Sequence, residues 1–414
     1  MTKPKLLFLG QTLPYPPDSG TAIRSYNVLR LLARDYDVTA LCFYRRATTP
    51  DLPGSLAALR TIASDVELFR IEQEYSRTRM LADHGRSVLT GRAYTAFAYR
   101  SAAFRHALLS RLARERFAIA HVDSLDLGDY LPLIAGVPVV AGHHNVESAL
   151  LRRRAENESS VMRRGYLELQ ARLTEREERR WCPLAAVNLA VSDADRADFQ
   201  RLVPGARFEV IPNGVDVEAF VPSAGGAKDG IVFVGGMSWF PNADALEFFD
   251  EEILPLVRAR DEHVKVTWVG RAKPDVIARY ATRGVELTGH VDDIRPYVGG
   301  AACYVVPLRI GGGTRLKILD AWAMGKAVVS TSVGCEGLDA VDGQNILIRD
   351  DPAAFAAAVT MVLRDSGLRA SLERNARATA EQKYSWNVIG ETMRRVYGDV
   401  LTRRRAETTS RASS

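Results

Sequence analysis

Short β-branched or leucine-rich runs alternate with amphipathic stretches along most of the chain. The runs begin with KLLFLG at 5–10 and DVTALCF at 37–43, and continue through FAIAHVD, PVVAG, AAVNLAVS and FEVIP to residue 212. A second series follows: GIVFVGG at 230–236, then VKVTWVG, VELTG, AACYVVP, KAVVST and NILI, ending at 348. Between them, residues 25–34, 245–260 and 315–324 repeat apolar positions at helical spacing, the last stopped by Gly325. Strand and helix in strict alternation predict parallel sheets covered by helices. The polar, glycine-bearing PSAGGAKD at 222–229 interrupts the alternation before the second series starts. The expectation is therefore an α/β protein of two Rossmann-like parallel-sheet domains facing across a cleft: 1–221, a linker at 222–229, and 230–385. A helix at 386–402 is expected to pack back toward the first domain, with a disordered tail at 403–414.

Length agrees, because 414 residues suit two domains that each bury a core. The net charge of +5 suggests nucleic acid at first sight, but residues 351–414 hold 11 Lys/Arg against 7 Asp/Glu, which leaves the rest almost neutral. Nucleic acid is discounted as the partner. Four scattered cysteines form no CxxC pair, so neither a zinc knuckle nor a disulfide framework is expected. The first apolar run is too short for a signal peptide, and no run reaches the roughly 18 residues of a membrane span. A cytoplasmic protein touching the inner face of a membrane at most peripherally is expected. The arginine-rich stretch 151–180 is the candidate lipid face, its plainer reading being a solvated helix pair.

In parallel sheets the loops after the strands are where ligands sit. No strand end carries GxGxxG, which lowers the case for a dinucleotide dehydrogenase. The most informative segment is RIGGGTRLKILDAWAMGKAVV at 309–329. Its glycines Gly311, Gly312 and Gly313, with Thr314, let backbone amides approach an anion. The helix start adds positive dipole, Arg315 and Lys317 add charge, and Asp320 can reach ribose hydroxyls. A tight turn capped by Thr314 is the plain alternative. Asp193 and Asp195 form a DxD, but after Ser192 they read as a helix cap with an acidic first turn, so no metal is expected.

The glycine segment resembles the donor-site motif of retaining GT-B glycosyltransferases of group 1 or family 4. NGVD at 213–216, FVGGM followed by PNADA, TGHVDD from Thr288, GCEGL and YSW at 384–386 stand in the same order. The loop LPYPPDSGTAIRSYN resembles bacterial exopolysaccharide sugar transferases. The resemblance implies transfer of a sugar from a nucleotide-diphosphate donor to a glycan or lipid-linked acceptor, with retention, no cofactor and no metal. It makes His144, Arg315, Lys317 and Asp320 catalytic. Gly20, Gly235, Gly236, Arg271, His290, Gly311, Gly312, Gly313 and Thr314 would hold the donor, and Arg24 and His143 the acceptor. The family's first glutamate is replaced by Gly312 and its second is shortened to Asp320. A sugar-nucleotide epimerase of the same fold and a noncatalytic sugar-nucleotide-binding subunit are the alternatives.

Overall fold

The computed structural model describes residues 3–45, 49–223, 228–311 and 315–412. The chain forms two compact units, Met1–Ile211 with Gly390–Ser414, and Pro212–Ile389. In the first, strands β1 (Lys5–Gly10), β2 (Asp37–Tyr44), β3 (Asp65–Arg70), β4 (Ile119–Val122), β5 (Val139–Gly142), β6 (Val187–Ala190) and β7 (Phe208–Val210) lie in the order β3-β2-β1-β4-β5-β6-β7. The second unit orders β8 (Ile231–Val234), β9 (Val266–Val269), β10 (Glu286–Leu287), β11 (Cys303–Val306), β12 (Val328–Ser330) and β13 (Leu347–Ile348) as β10-β9-β8-β11-β12-β13. Every pairing is parallel. Both sheets are Rossmann-like, and in each the order reverses once, between β1 and β4 and between β8 and β11. At such a switch point the two connections leave in opposite directions, which opens a crevice beyond the carboxyl ends of the strands.

Each core is built from the apolar runs. In the first unit Phe43 stacks on Phe104 at 4.6 Å, and Phe69 meets Phe104 edge-on at 5.0 Å. In the second, Phe233 stacks on Trp268 at 3.8 Å, and Trp322 is fully buried. Removing one such ring costs about 3–5 kcal/mol.

Four expectations need correction. Strand β3 was not expected: DVELFR alternates acidic with apolar residues because it is an edge strand with only one neighbour. The stretch 245–260 is not one uniform helix. It runs as α-helix Phe240–Phe248, π-helix Phe249–Ile253 and α-helix Leu254–Arg258. Pro255 has no N–H for an i→i−4 bond, and the widened turn directly precedes it.

The domain boundary falls after Ile211 rather than after Val221. Val215 N donates to the Tyr384 carbonyl at 2.8 Å, a Cβ on Gly214 would lie 2.7 Å from Trp386 and Ile389, and Arg377 donates to the carbonyls of Val217 and Phe220. NGVD and YSW are thus two halves of one joint. Finally, the last helix spans Trp386–Ala412 where a tail was expected from 403, because no glycine or proline follows Gly398 to stop it.

Candidate functional site

In the second unit, β8 ends in Gly235 and Gly236 beside the switch point. Packing requires glycine at 235, while at 236 a side chain would meet only ordinary contacts. A Cβ on Gly235 would lie 2.6 Å from the Phe233 ring and 2.7 Å from Asn242 Nδ2, and one on Gly236 would meet the Arg271 backbone at 3.6 Å. Asn242 Nδ2 donates to the Gly236 carbonyl at 2.9 Å, while Asn242 Oδ1 accepts from Lys317 Nζ at 2.8 Å. The same ammonium stands 4.1 Å from the centre of the Phe233 ring. Among the described residues no carboxylate pairs with Lys317. Burial, and then the Arg315 charge, push it down to about 7.

Lys317 lies on the helix Leu316–Ala323, whose N-cap position, Arg315, makes no side-chain cap bond. The positive end of a helix favours an anion. Neither cation stands on an exposed helix turn. Arg315 is 9% exposed, with Nε and Nη2 each 3.4 Å from the Val333 carbonyl. Its guanidinium crowds Gly311, whose φ of +140° suits glycine. Asp320 sits deeper on the helix, where burial pushes its carboxyl up to about 7. Arg271 and His290 lie in the loops after β9 and β10 and are exposed, His290 standing 3.5 Å from Asp292. Gly312, Gly313 and Thr314 lie outside the described residues.

In the first unit, Asp123 follows β4 at the switch point. Four side chains from three segments converge on its carboxylate. Ser25 Oγ donates to Oδ2, His121 Nε2 lies 3.4 Å from Oδ1, His144 Nε2 lies 3.6 Å from Oδ2, and Arg24 adds its charge. Burial alone would raise Asp123. The bonds and charges of His121 and His144 reverse that and hold it well below the usual carboxylate range. Arg24, expected to face an acceptor, is 3% exposed, and burial brings it down to about 10 against the pull of Asp123.

His143, the other residue assigned to the acceptor, turns inward. It bonds Asn188 Oδ1 at 3.0 Å, packs against Phe199 and Phe208, and is brought by burial to about 4, so it is a neutral internal ring. His144 lines a narrow pocket with Asp126, Asn145, Glu147 and Glu178, a pocket that His143 also borders. Burial raises all three carboxyls, Glu178 to about 7. Gly20 opens the helix Gly20–Asp35 behind its cap Ser19 and is exposed.

Asp193 and Asp195 form the first turn of a helix capped by Ser192. Its Oγ accepts from Asp195 N at 3.0 Å, and Asp193 pairs with Arg196. Sequence reading missed Asn242, His121, Asp123 and Tyr397. For His121 and Asp123 the signal was available: two ionisable residues in an otherwise apolar run, FAIAHVD, demand buried partners.

A profile described as Glycosyltransferase Family 4 matches residues 19–219, and one for Glycosyl transferases group 1 matches 228–365. An uncharacterised 44.6 kDa protein in the cps region of Klebsiella pneumoniae is 28% identical over 135 residues, covering 30% of this chain and 35% of that one. Phosphatidyl-myo-inositol mannosyltransferase of Mycobacterium tuberculosis is 30% identical over 230 residues, 51% of this chain and 59% of the relative. The chain thus spans between about a third and three fifths of the length of these curated relatives. The crystal structure of Anabaena HepE in complex with UDP superposes with a TM-score of 0.67 at 15% identity, covering 95% of this chain and all of that one. At that identity the likeness concerns the fold.

Proposed function

Because the chain belongs to the group 1 and family 4 glycosyltransferases of GT-B fold, we propose that it moves a sugar from a nucleotide-diphosphate donor to a glycan or lipid-linked acceptor, with retention at the sugar carbon. The observation that carries this reading is Lys317, a cation held at a switch point with an amide oxygen and an aromatic face for company and no carboxylate among the described residues. A buried ammonium without a counter-ion is costly, and a diphosphate supplies one. As the bond to the sugar breaks, the leaving diphosphate gains charge. A preorganised cation, the helix amides and Arg315 then favour the transition state over the bound donor. His144, with Asp123 at its back, has the role of stabilising the positive charge that develops on the sugar. The pocket beside it offers carboxyls that burial shifts upward, and these hydrogen-bond acceptor hydroxyls.

The relative from the Klebsiella cps region supports a place in cell-surface or exopolysaccharide synthesis, and the mannosyltransferase supports a hexose donor and a lipid-linked acceptor. Peripheral contact with a membrane fits a surface where Leu81, Leu89, Val161 and Met162 are exposed near Arg77, Arg86, Arg163 and Arg164. Among the described residues no helix is long and apolar enough to cross a membrane. Metal independence is supported by the capping role of Asp193 and Asp195, and activity should survive EDTA.

The test combines UDP-, GDP- and ADP-sugars in a thermal-shift and nucleoside-diphosphate-release assay. One donor should raise stability by about 2.7 kcal/mol at a hundredfold excess over Kd, with release accelerated by acceptor. Acceptor-independent conversion of the donor sugar would favour an epimerase. In His144→Ala, transfer should fall strongly while free-nucleotide affinity stays. Retained turnover in that folded variant would remove His144 from the site.

A further inference from the structure

A line of buried polar side chains leads from the helix Trp386–Ala412 to His144. Tyr397 Oη lies 2.7 Å from His121 Nδ1, and His121 Nε2 lies 3.4 Å from Asp123 Oδ1. On its other oxygen Asp123 takes the Ser25 hydroxyl and faces His144 Nε2 at 3.6 Å. Tyr397, His121 and Asp123 are each 2% exposed or less.

Donor and acceptor chemistry orients the whole line. An ionised Asp123 can only accept, so His121 presents Nε2–H to it. In a neutral imidazole that leaves Nδ1 with a lone pair, and the Tyr397 hydroxyl donates there. Burial, with Tyr36 and Asp123 nearby, holds the Tyr397 phenol well above its ordinary value, so it keeps its proton. Stacking on Phe8 at 5.0 Å fixes the plane of the His121 ring. Asp123 alone sets the Nε2–H tautomer, and the phenol adds a second anchor: without it, Nδ1 is left buried with no donor, and one of the two bonds that hold the ring edge against Asp123 is gone.

We propose that Tyr397 is a positioning residue for the reacting centre: it anchors the His121 ring by Nδ1 with Nε2–H directed at Asp123, which steadies Asp123 and, through Asp123, the ring of His144. The proposal rests on the reading that His144 serves the transfer. It assigns the helix Trp386–Ala412 a task in catalysis beyond completing the fold of its unit.

The test uses the full chain labelled with 15N-histidine, of which there are seven to assign, in the parent and in Tyr397→Phe. Tyr36→Phe is the control, since Tyr36 packs 6.2 Å from Tyr397 outside the line. Long-range 1H–15N spectra should report the Nε2–H tautomer for His121 in the parent. In Tyr397→Phe the His121 Nδ1 signal should shift as it loses its donor and the His144 ring signals should move, although Tyr397 does not touch His144. Turnover, read as nucleoside diphosphate released from UDP-glucose or GDP-mannose, should fall about tenfold with donor KM within about twofold. Tyr36→Phe should change neither readout.

An Nδ1–H tautomer in the parent, or unmoved His144 signals in Tyr397→Phe, would overturn the proposal without any substrate. Full turnover in Tyr397→Phe where His144→Ala is inactive would overturn it too. Full turnover in both would overturn the reading of His144 itself.

Discussion

Lys317 and Asp320 stand three residues apart on one helix, and burial drives them toward each other from opposite sides, each to about 7. Their effects on stability have opposite signs. Between about 7 and 10.5 the unfolded chain holds a proton that folded Lys317 has lost, so stability rises with pH. Between 3.8 and about 7 folded Asp320 holds a proton that the unfolded chain has lost, so stability falls as pH rises. These two groups alone make the ligand-free second unit least stable near pH 7.

A diphosphate that restores the Lys317 charge must draw in a proton at pH 8. Calorimetry in Tris and in HEPES should therefore give binding heats that differ by about one buffer ionisation, and identical heats would show that Lys317 is charged before the nucleotide arrives. Lys317→Met keeps the bulk and removes the charge. Turnover should drop on the order of tenfold to a thousandfold with the melting temperature held or raised, since a neutral chain is cheaper to bury. Arg315→Ala should lose melting temperature as well, because that guanidinium also braces the Val333 loop.

Among the elements, the joint between NGVD and YSW is decided by one glycine. A methyl at position 214 would meet Trp386 and Ile389 at about 2.7 Å, and both are core residues that cannot swing aside. Gly214→Ala should destabilise the second unit by about 1–3 kcal/mol, the usual cost of overpacking, visible as a lower denaturant midpoint with an unchanged slope. An unchanged midpoint would mean that the joint can open.

Legibility in the sequence follows the same physics. Strands covered on both faces, such as β1, β2 and β11, are unbroken apolar runs and are read directly. The edge strand β3 carries acidic residues at alternate positions and escapes a search for such runs. Strand ends are legible because an apolar run stops where the backbone reaches the crevice, which is how Gly235, His144 and Lys317 come to notice. What each touches is not legible. Asn242 is 75 residues from Lys317 and Tyr397 is 276 residues from His121, and no local pattern encodes a partner at such a distance.

For the whole molecule, the governing fact is that the first unit is discontinuous. The chain leaves it at Ile211 and returns at Gly390. The returning helix buries Met393, Val396, Tyr397 and Val400, and a Cβ at Gly390 would already strike Leu31 at 2.8 Å. A fragment of residues 1–211 should expose the apolar seat of that helix and aggregate or bind a hydrophobic dye. Fusing residues 386–414 to it through a flexible linker should restore a cooperative melt. A fragment that melts cooperatively alone would show that the helix is dispensable to the unit.

The Tyr397 contact also fixes a schedule. A ribosome makes the strands around Asp123 and His144 first, then all of the second unit, and only afterwards the segment that carries the phenol. At about 5–20 residues per second, the half-built first unit waits on the order of ten seconds or more for its missing helix. The unit begun first is therefore finished second. Until then His121 lacks the Tyr397 donor on its Nδ1, so a nascent chain or one cut short before Tyr397 already carries Lys317 and still lacks the phenol that anchors His121. Competence for transfer would arrive with the segment synthesised after both sheets are complete.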